Sequence, residues 1–231
     1  MELSPRAIAL IALAGVAVFG IVLRTRPVTA PRAVAAPGGP RYELKAGDAS
    51  GALKLTPELR AAGLTFAPDV SASDRALVFH AIADARPEAQ RLIGLVDGLV
   101  DVSVGDAGNG AAGKTMVGGT RYPMVLNLRA AWQRAAQRGV DRLVLHELGH
   151  VVDDALLSDA FVAPLVAAVP KGWGCDDGVT GSCAAPEERF AESFAKWATG
   201  DIGVDVEIGY SIPPPSPSLE VWGRPLAAWN G

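Results

Sequence analysis

Apolar residues recur at helical spacing in three parts of the chain before residue 160. The stretches SDRALVFHAIADA and RPEAQRLIGLVDGL predict helices over residues 73–85 and 86–99, with Pro87 marking the start of the second. The same period returns over residues 130–157, where Gly139 predicts a division into two helices. The sequence therefore places a helical pair first and a longer helical stretch later.

Between these stretches the period changes to that of β-strands. The run LVDVSVG (99–105) alternates apolar and polar residues, and two β-prone runs follow it, KTMVGG (114–119) and YPMVLNL (122–128). Glycines and a proline separate the runs. Helices, then a small sheet, then a long helix predict an α+β domain.

A further helix is predicted near the C-terminus, over residues 186–200. Proline lies in its first turn, acids follow at once, and Gly200 ends it. Its apolar stripe has the spacing i, i+4, i+7: Phe190, Phe194 and Trp197. The Pro-rich run 211–218 and the segment LEVWGRPLAAW (219–229) are expected to wrap the domain, with the tryptophans as packing anchors; a partner-binding tail is the alternative.

The N-terminus has a composition of its own. Residues 7–23 are apolar and uncharged and are flanked by arginines, which predicts a membrane anchor or a signal segment over residues 1–25. Ala33–Ala35 offers a small-residue cleavage site for the second alternative. A Pro/Ala-rich linker covers residues 26–40, and the folded domain is expected over residues 41–231.

The two cysteines and the net charge bear on where the protein is located and on which partners it binds. Cys175 and Cys183 enclose a turn-rich run that predicts a small disulfide loop, with free buried thiols or a metal pair as alternatives. A disulfide favours an extracytoplasmic protein, tethered to the membrane or secreted, although the arginines that follow the apolar segment favour the cytoplasmic side. A net charge of -4 and no basic stripe exclude nucleic acid as the expected partner.

One stretch matches a nucleotide-binding motif. GNGAAGKT (108–115) fits the phosphate loop G-x-x-x-x-G-K-[ST]. That loop needs a helix to begin at its Lys-Thr end, because the N–H groups of the first helical turn hold the phosphates. The residues MVGGTRYP follow instead, so we interpret the match as a Gly-rich loop between strands and expect no nucleotide.

The stretch LVLHELGHVVDD (143–154) contains the pattern H-E-x-x-H. In a helix, residues i and i+4 lie on one face, so His146 and His150 point to a common position where both can bind one zinc ion. Glu147 is placed to take a proton from the water that attacks a peptide bond and to return it to the leaving amine. The apolar residues before His146 indicate a buried helix, in which unpaired histidines would be costly.

A zinc site of this kind needs a third protein ligand. No histidine follows His150, so an acid in the predicted helix 186–200 is the candidate. Glu192 lies between Ala191 and Ala195, small residues that let a second helix approach closely. Ordinary solvated acids on a surface helix are the alternative, which suits Glu187 best.

These two motifs together resemble the gluzincin metallopeptidases. VLHELGHVVDD followed by EERFAESFAKW is similar to the catalytic domain of anthrax lethal factor and related extracellular proteins, over about Leu143 to Thr199. The resemblance implies a zincin-like fold and a zinc endopeptidase acting on peptides or proteins, with one Zn²⁺. The implied ligands are His146, His150 and Glu192, and Glu147 is the implied general base.

The resemblance also raises the question of the supporting residues. Glu188 and Asp154 are candidates to orient the ligands through hydrogen bonds. The family has a tyrosine before the ligand-bearing helix to steady the oxyanion, whereas Ala184–Pro186 occupy that region here. Tyr210, Tyr122 or His80 would have to substitute for it. The alternative function is an extracellular module that binds zinc without efficient catalysis.

Overall fold

The predicted succession of helices, strands and helices is present in the structure, a computed structural model that describes residues 63–96, 98–108, 110–171, 185–202 and 212–230. The elements are β1 (Thr65–Phe66), α1 (Ala72–Ala83), α2 (Pro87–Gly94), β2 (Val100–Val104), β3 (Gly113–Thr115), β4 (Tyr122–Leu126), α3 (Leu128–Leu156), α4 (Asp159–Ala167), α5 (Pro186–Thr199) and α6 (Leu219–Ala228). The α+β class predicted from the sequence is confirmed.

The four strands form one sheet in the order β1-β2-β4-β3. β1 and β4 both run parallel to β2, and β3 pairs antiparallel with β4, with Lys114 opposite Val125. β4 is therefore interior and β3 forms an edge. Alternate residues of β2 and β4 are buried, which is why these runs alternate in the sequence: Val100, Val102, Tyr122, Met124 and Leu126.

The long helix α3 is interrupted, but not at the predicted residue. Asn127 caps its start by accepting a hydrogen bond from the Ala130 N–H, and the backbone leaves helical geometry at Ala135 and Ala136, where Ala136 has φ 50°. Gly139 lies buried inside the second segment. The prediction of a division at Gly139 was wrong because a glycine costs a helix only about 1 kcal/mol, an amount that burial against neighbours can offset.

α5 packs against the second segment of α3 through small residues. A Cβ added to Gly149 would lie 3.0 Å from Cα of Ala191, so the two backbones approach closely at this point. The predicted stripe of Phe190, Phe194 and Trp197 is buried against the core. Sequence and packing agree here, and the contact fixes the distance between the two helices that carry the candidate ligands.

The C-terminal segment closes the far side of α5. α6 buries Trp222, whose Nε1 donates to the carbonyl oxygen of Leu165 at 3.0 Å. Gly223 packs on the ring of Trp197, since a Cβ there would overlap its Nε1. The expectation that this segment wraps the domain with tryptophan as an anchor is confirmed for Trp222.

The membrane prediction requires correction. Among the residues that the structure describes, no helix is both long enough and apolar enough to cross a membrane. The one described helix of sufficient length, α3, carries charged residues along most of its length. The transmembrane tether was therefore a wrong prediction, and we withdraw the membrane partner and the tethered extracytoplasmic location that depended on it.

Several sequence predictions fall on parts of the chain outside the described residues. These are the N-terminal segment (1–25), the linker (26–40), the disulfide between Cys175 and Cys183, and Tyr210.

Candidate metal centre

Three side chains from α3 and α5 direct their donor atoms to one position. Nε2 of His150 lies 3.2 Å from Nε2 of His146. Oε2 of Glu188 lies 3.1 Å from Nε2 of His146 and 3.7 Å from Nε2 of His150. Two atoms bound to one tetrahedral zinc ion at about 2.1 Å stand about 3.4 Å apart. The two nitrogens and the carboxylate oxygen therefore have the chemistry and the spacing of a single zinc site.

Glu192 contacts the other side of the His146 ring. Its Oε2 accepts a hydrogen bond from Nδ1 of His146 at 3.1 Å, and its Oε1 lies 3.1 Å from Nε of Arg142 and 3.4 Å from Nζ of Lys196. The carboxylate is buried, with 3% of the residue exposed. The sequence predicted Glu192 as the ligand and Glu188 as its support. In the structure Glu188 faces the Nε2 atoms of the two histidines, whereas Glu192 contacts Nδ1 of His146.

The two helices present matching series of side chains at intervals of four residues. α3 contributes Arg142, His146 and His150, and α5 contributes Glu188, Glu192 and Lys196. Arg142 meets Glu192, His146 lies between both acids, and His150 meets Glu188. Each ring therefore has an acid beside it, and the buried charges are paired with opposite charges.

The charges of this cluster shift the pKa values of its members. Burial would lower the pKa of His146, but hydrogen bonds to Glu188 and Glu192 outweigh burial and raise it to about 10. Burial would raise the pKa of Glu188, yet its hydrogen bonds with the two histidines hold it well below the usual range. Burial would also raise the pKa of Glu192, but its hydrogen bond with His146 and the charges of Arg142 and Lys196 lower it. When no metal is bound, His146 therefore keeps a proton that a cation must displace.

Glu147 lies on the side of α3 that faces the sheet. It is 4% exposed, and the Thr115 hydroxyl donates to its Oε2 at 2.7 Å. Glu147 follows His146 directly in the chain, and its negative charge contributes to the raised pKa of that ring. The role that the H-E-x-x-H pattern predicts for this carboxylate, acting beside a metal, stays a prediction.

Asp154 supports the loop between β3 and β4. Its Oδ2 accepts from the Tyr122 hydroxyl at 2.9 Å and from the Gly118 N–H at 3.1 Å. Burial and the hydrogen bond to Asp154 raise the pKa of Tyr122 to about 12. Asp154 thus orients this loop rather than a histidine, and the Tyr122 hydroxyl is engaged with it.

His80 belongs to a different group. Its Nδ1 lies 3.3 Å from Oδ2 of Asp84, one turn further along α1, and Asp141 of α3 lies close to both. The side chains of His80 and Asp84 are 40% and 59% exposed. Of the three residues considered for the oxyanion, His80 and Tyr122 are therefore engaged elsewhere.

Sequence reasoning did not identify three residues of this site. Arg142 and Lys196 each continue a spacing of four residues, which was the available signal: R-x-x-x-H-x-x-x-H on α3 and E-x-x-x-E-x-x-x-K on α5. Thr115 had no signal beyond its place in the phosphate-loop match, because its contact with Glu147 joins residues 32 positions apart.

Comparisons of the chain with models of protein families, with curated proteins and with solved structures gave no match.

Proposed function

We propose that this protein is a zinc-dependent peptidase with a zincin-like catalytic domain. The observation that carries the proposal is the convergence of His146, His150 and Glu188 on one position, with the buried Glu147 next to His146 on the same helix. Sheet, active helix and ligand helix occur in the order that the resemblance to the gluzincins implies. The proposed zinc ligands of this chain differ from the sequence prediction, because Glu188 takes the place that was expected for Glu192.

When bound, a zinc ion supplies a Lewis acid that polarises the scissile carbonyl. The residues of this chain supply the remaining functions. Glu147 takes a proton from the attacking water and returns it to the leaving amine. Because the ionised Glu192 can only accept, Nδ1 of His146 donates to it, and Nε2 of the neutral ring keeps its lone pair for the metal.

The edge strand β3 is the candidate site for an extended substrate. An extended peptide adds to a sheet by pairing with the backbone of an edge strand. Of the two runs considered from the sequence, YPMVLNL forms the interior strand β4, whereas KTMVGG begins in β3. Substitutions in 114–119 that leave peptide affinity unchanged would count against this assignment.

A second candidate function is a module that binds zinc but cleaves nothing. The observation that favours it is the engagement of the Tyr122 hydroxyl with Asp154, which removes this tyrosine as a donor to the oxyanion. Peptide hydrolysis by the purified protein distinguishes the two functions.

The test combines zinc analysis with a peptidase assay on a mixed peptide library read by mass spectrometry. We expect one zinc per chain and cleavage for the wild type, and one zinc but at least 100-fold slower cleavage for Glu147→Gln, since the general base is lost. Glu187→Gln, an exposed acid of the same helix as Glu188, is the control and should match the wild type.

Each alternative result has a separate meaning. Zinc bound by a wild type that cleaves no peptide would favour the binding module. A wild type that binds no zinc would reject both functions.

A further inference from the structure

The tripeptide Gly113-Lys114-Thr115, which completes the phosphate-loop match, forms the edge strand β3. A phosphate loop requires a helix at this point, and here a strand followed by a turn takes its place. Because side chains alternate along a strand, Gly113 and Thr115 share one face and Lys114, which is exposed, lies on the other. Both residues of the shared face contact Glu147.

Thr115 fixes one oxygen of the Glu147 carboxylate. Its hydroxyl lies 2.7 Å from Oε2 and 3.3 Å from the Glu147 carbonyl oxygen. A buried carboxylate needs such a donor, and a hydrogen bond to an ionised oxygen is about twice as strong as one between neutral groups. The contact joins the sheet to the active helix at the candidate general base.

Gly113 leaves space for the other oxygen. A Cβ built on Gly113 would lie 2.3 Å from Oε1 of Glu147 and 2.7 Å from Cδ1 of Leu143. Those separations are well below van der Waals contact, so any larger residue would displace either the carboxylate or the strand. Gly113 is required here for space rather than for an unusual backbone angle, because it is not among the described glycines with positive φ.

We propose that Thr115 is a positioning residue for Glu147, with Gly113 providing the space that this position needs. The hydroxyl holds Oε2, and Oε1, which accepts no hydrogen bond from the described residues, is the oxygen left to take the proton from water. The inference rests on the proposed peptidase function.

The kinetic test uses Thr115→Val, which keeps the shape of the side chain and removes the donor. We expect kcat on a peptide selected from the mixed library to fall about 10- to 100-fold, with KM within about twofold of the wild type, because only the orientation of the base is lost. Zinc content should stay at one per chain. Thr115→Ser should restore most of kcat, since it restores the hydroxyl.

Ser103→Ala is the matched control, because it removes another strand hydroxyl, one that donates to the Met124 carbonyl oxygen. It should leave kcat and KM unchanged. A Thr115→Val protein with wild-type kcat would overturn the proposal, and so would a loss of activity explained by lost zinc or by raised KM.

A crystallographic test is independent of any substrate. In Thr115→Val the Glu147 carboxylate is expected to leave its wild-type orientation, and in Gly113→Ala it is expected to be displaced from β3. An unchanged carboxylate in Thr115→Val overturns the inference even if no peptide is cleaved. If the proposed peptidase function is wrong, the wild-type protein will release no peptide fragments in the library assay, a result that does not depend on the crystal structures.

Discussion

Glu188 and Glu192 are the same residue type, lie one turn apart on α5, and contact opposite sides of one imidazole ring. Glu188 meets Nε2 of His146, and Glu192 meets Nδ1 of the same ring together with Arg142 and Lys196. The neighbours of each acid decide its role. Glu188 is the less buried of the two and faces the convergence of nitrogens, whereas two cations already engage Glu192.

This difference predicts unequal effects of two otherwise identical substitutions. Glu188→Gln is expected to abolish stoichiometric zinc binding, since it removes an anionic ligand. Glu192→Gln is expected to weaken zinc affinity about 10- to 100-fold, as loss of a hydrogen-bond partner of a ligating histidine usually does. Competition with a zinc-binding dye measures the zinc affinity of each variant. If zinc affinity falls more in Glu192→Gln than in Glu188→Gln, Glu192 rather than Glu188 is the ligand.

At the scale of elements, the contact between α3 and α5 sets the distances between the candidate metal ligands. The two helices approach through Gly149 and Ala191, and the candidate ligands His150 and Glu188 lie within one turn of that point. The strand β3 approaches the other side of α3 through Gly113. Small residues therefore occupy the places where α3 meets α5 and β3.

Enlarging Gly149 should weaken metal binding more than it weakens the fold. In Gly149→Ala, a Cβ 3.0 Å from Cα of Ala191 and 3.3 Å from Cδ1 of Phe194 requires the helices to separate slightly. The gain of about 1 kcal/mol in helix propensity offsets much of the strain, so thermal stability should change little while zinc affinity falls. Gly94→Ala is the control, because a Cβ there has nothing within 4 Å. Equal zinc affinity in Gly149→Ala and wild type would contradict this account.

At the scale of the whole molecule, the candidate metal site is expected to link stability to pH. His146 is expected to bind its proton more tightly in the folded than in the unfolded protein, with its pKa raised from 6.5 to about 10. In the absence of metal, that contribution to stability is fully present below pH 6.5 and is lost as pH rises toward 10. Zinc must displace the same proton, so its affinity rises over the same range.

The difference in unfolding temperature between zinc-loaded and EDTA-treated protein should therefore widen between pH 6.5 and pH 9. Scanning calorimetry at the two pH values measures it. The variant Glu188→Gln, which is expected to lack the site, should show no such widening. A difference that stays constant with pH in the wild type would argue against a protonated His146 in the metal-free protein.

Local patterns in the sequence determined the α+β class, most helix positions and the burial of the Phe190–Trp197 stripe, because periodicity is a property of neighbouring residues. The same patterns placed His146 and His150 on one face of a helix and Glu147 beside them. Two acids spaced four residues apart on another helix are equivalent by that criterion, and the flanking alanines that favoured Glu192 report close packing rather than which acid faces the histidine nitrogens.

The tertiary structure decided what depends on distances between elements. The register of α5 against α3 determined that Glu188 rather than Glu192 faces the Nε2 atoms. The pairing of β4 on both sides left β3 as the edge, and the approach of β3 to α3 brought Thr115 and Gly113 to Glu147. The unbroken helix at Gly139 belongs with these, because burial of Gly139 against its neighbours offset its low helix propensity.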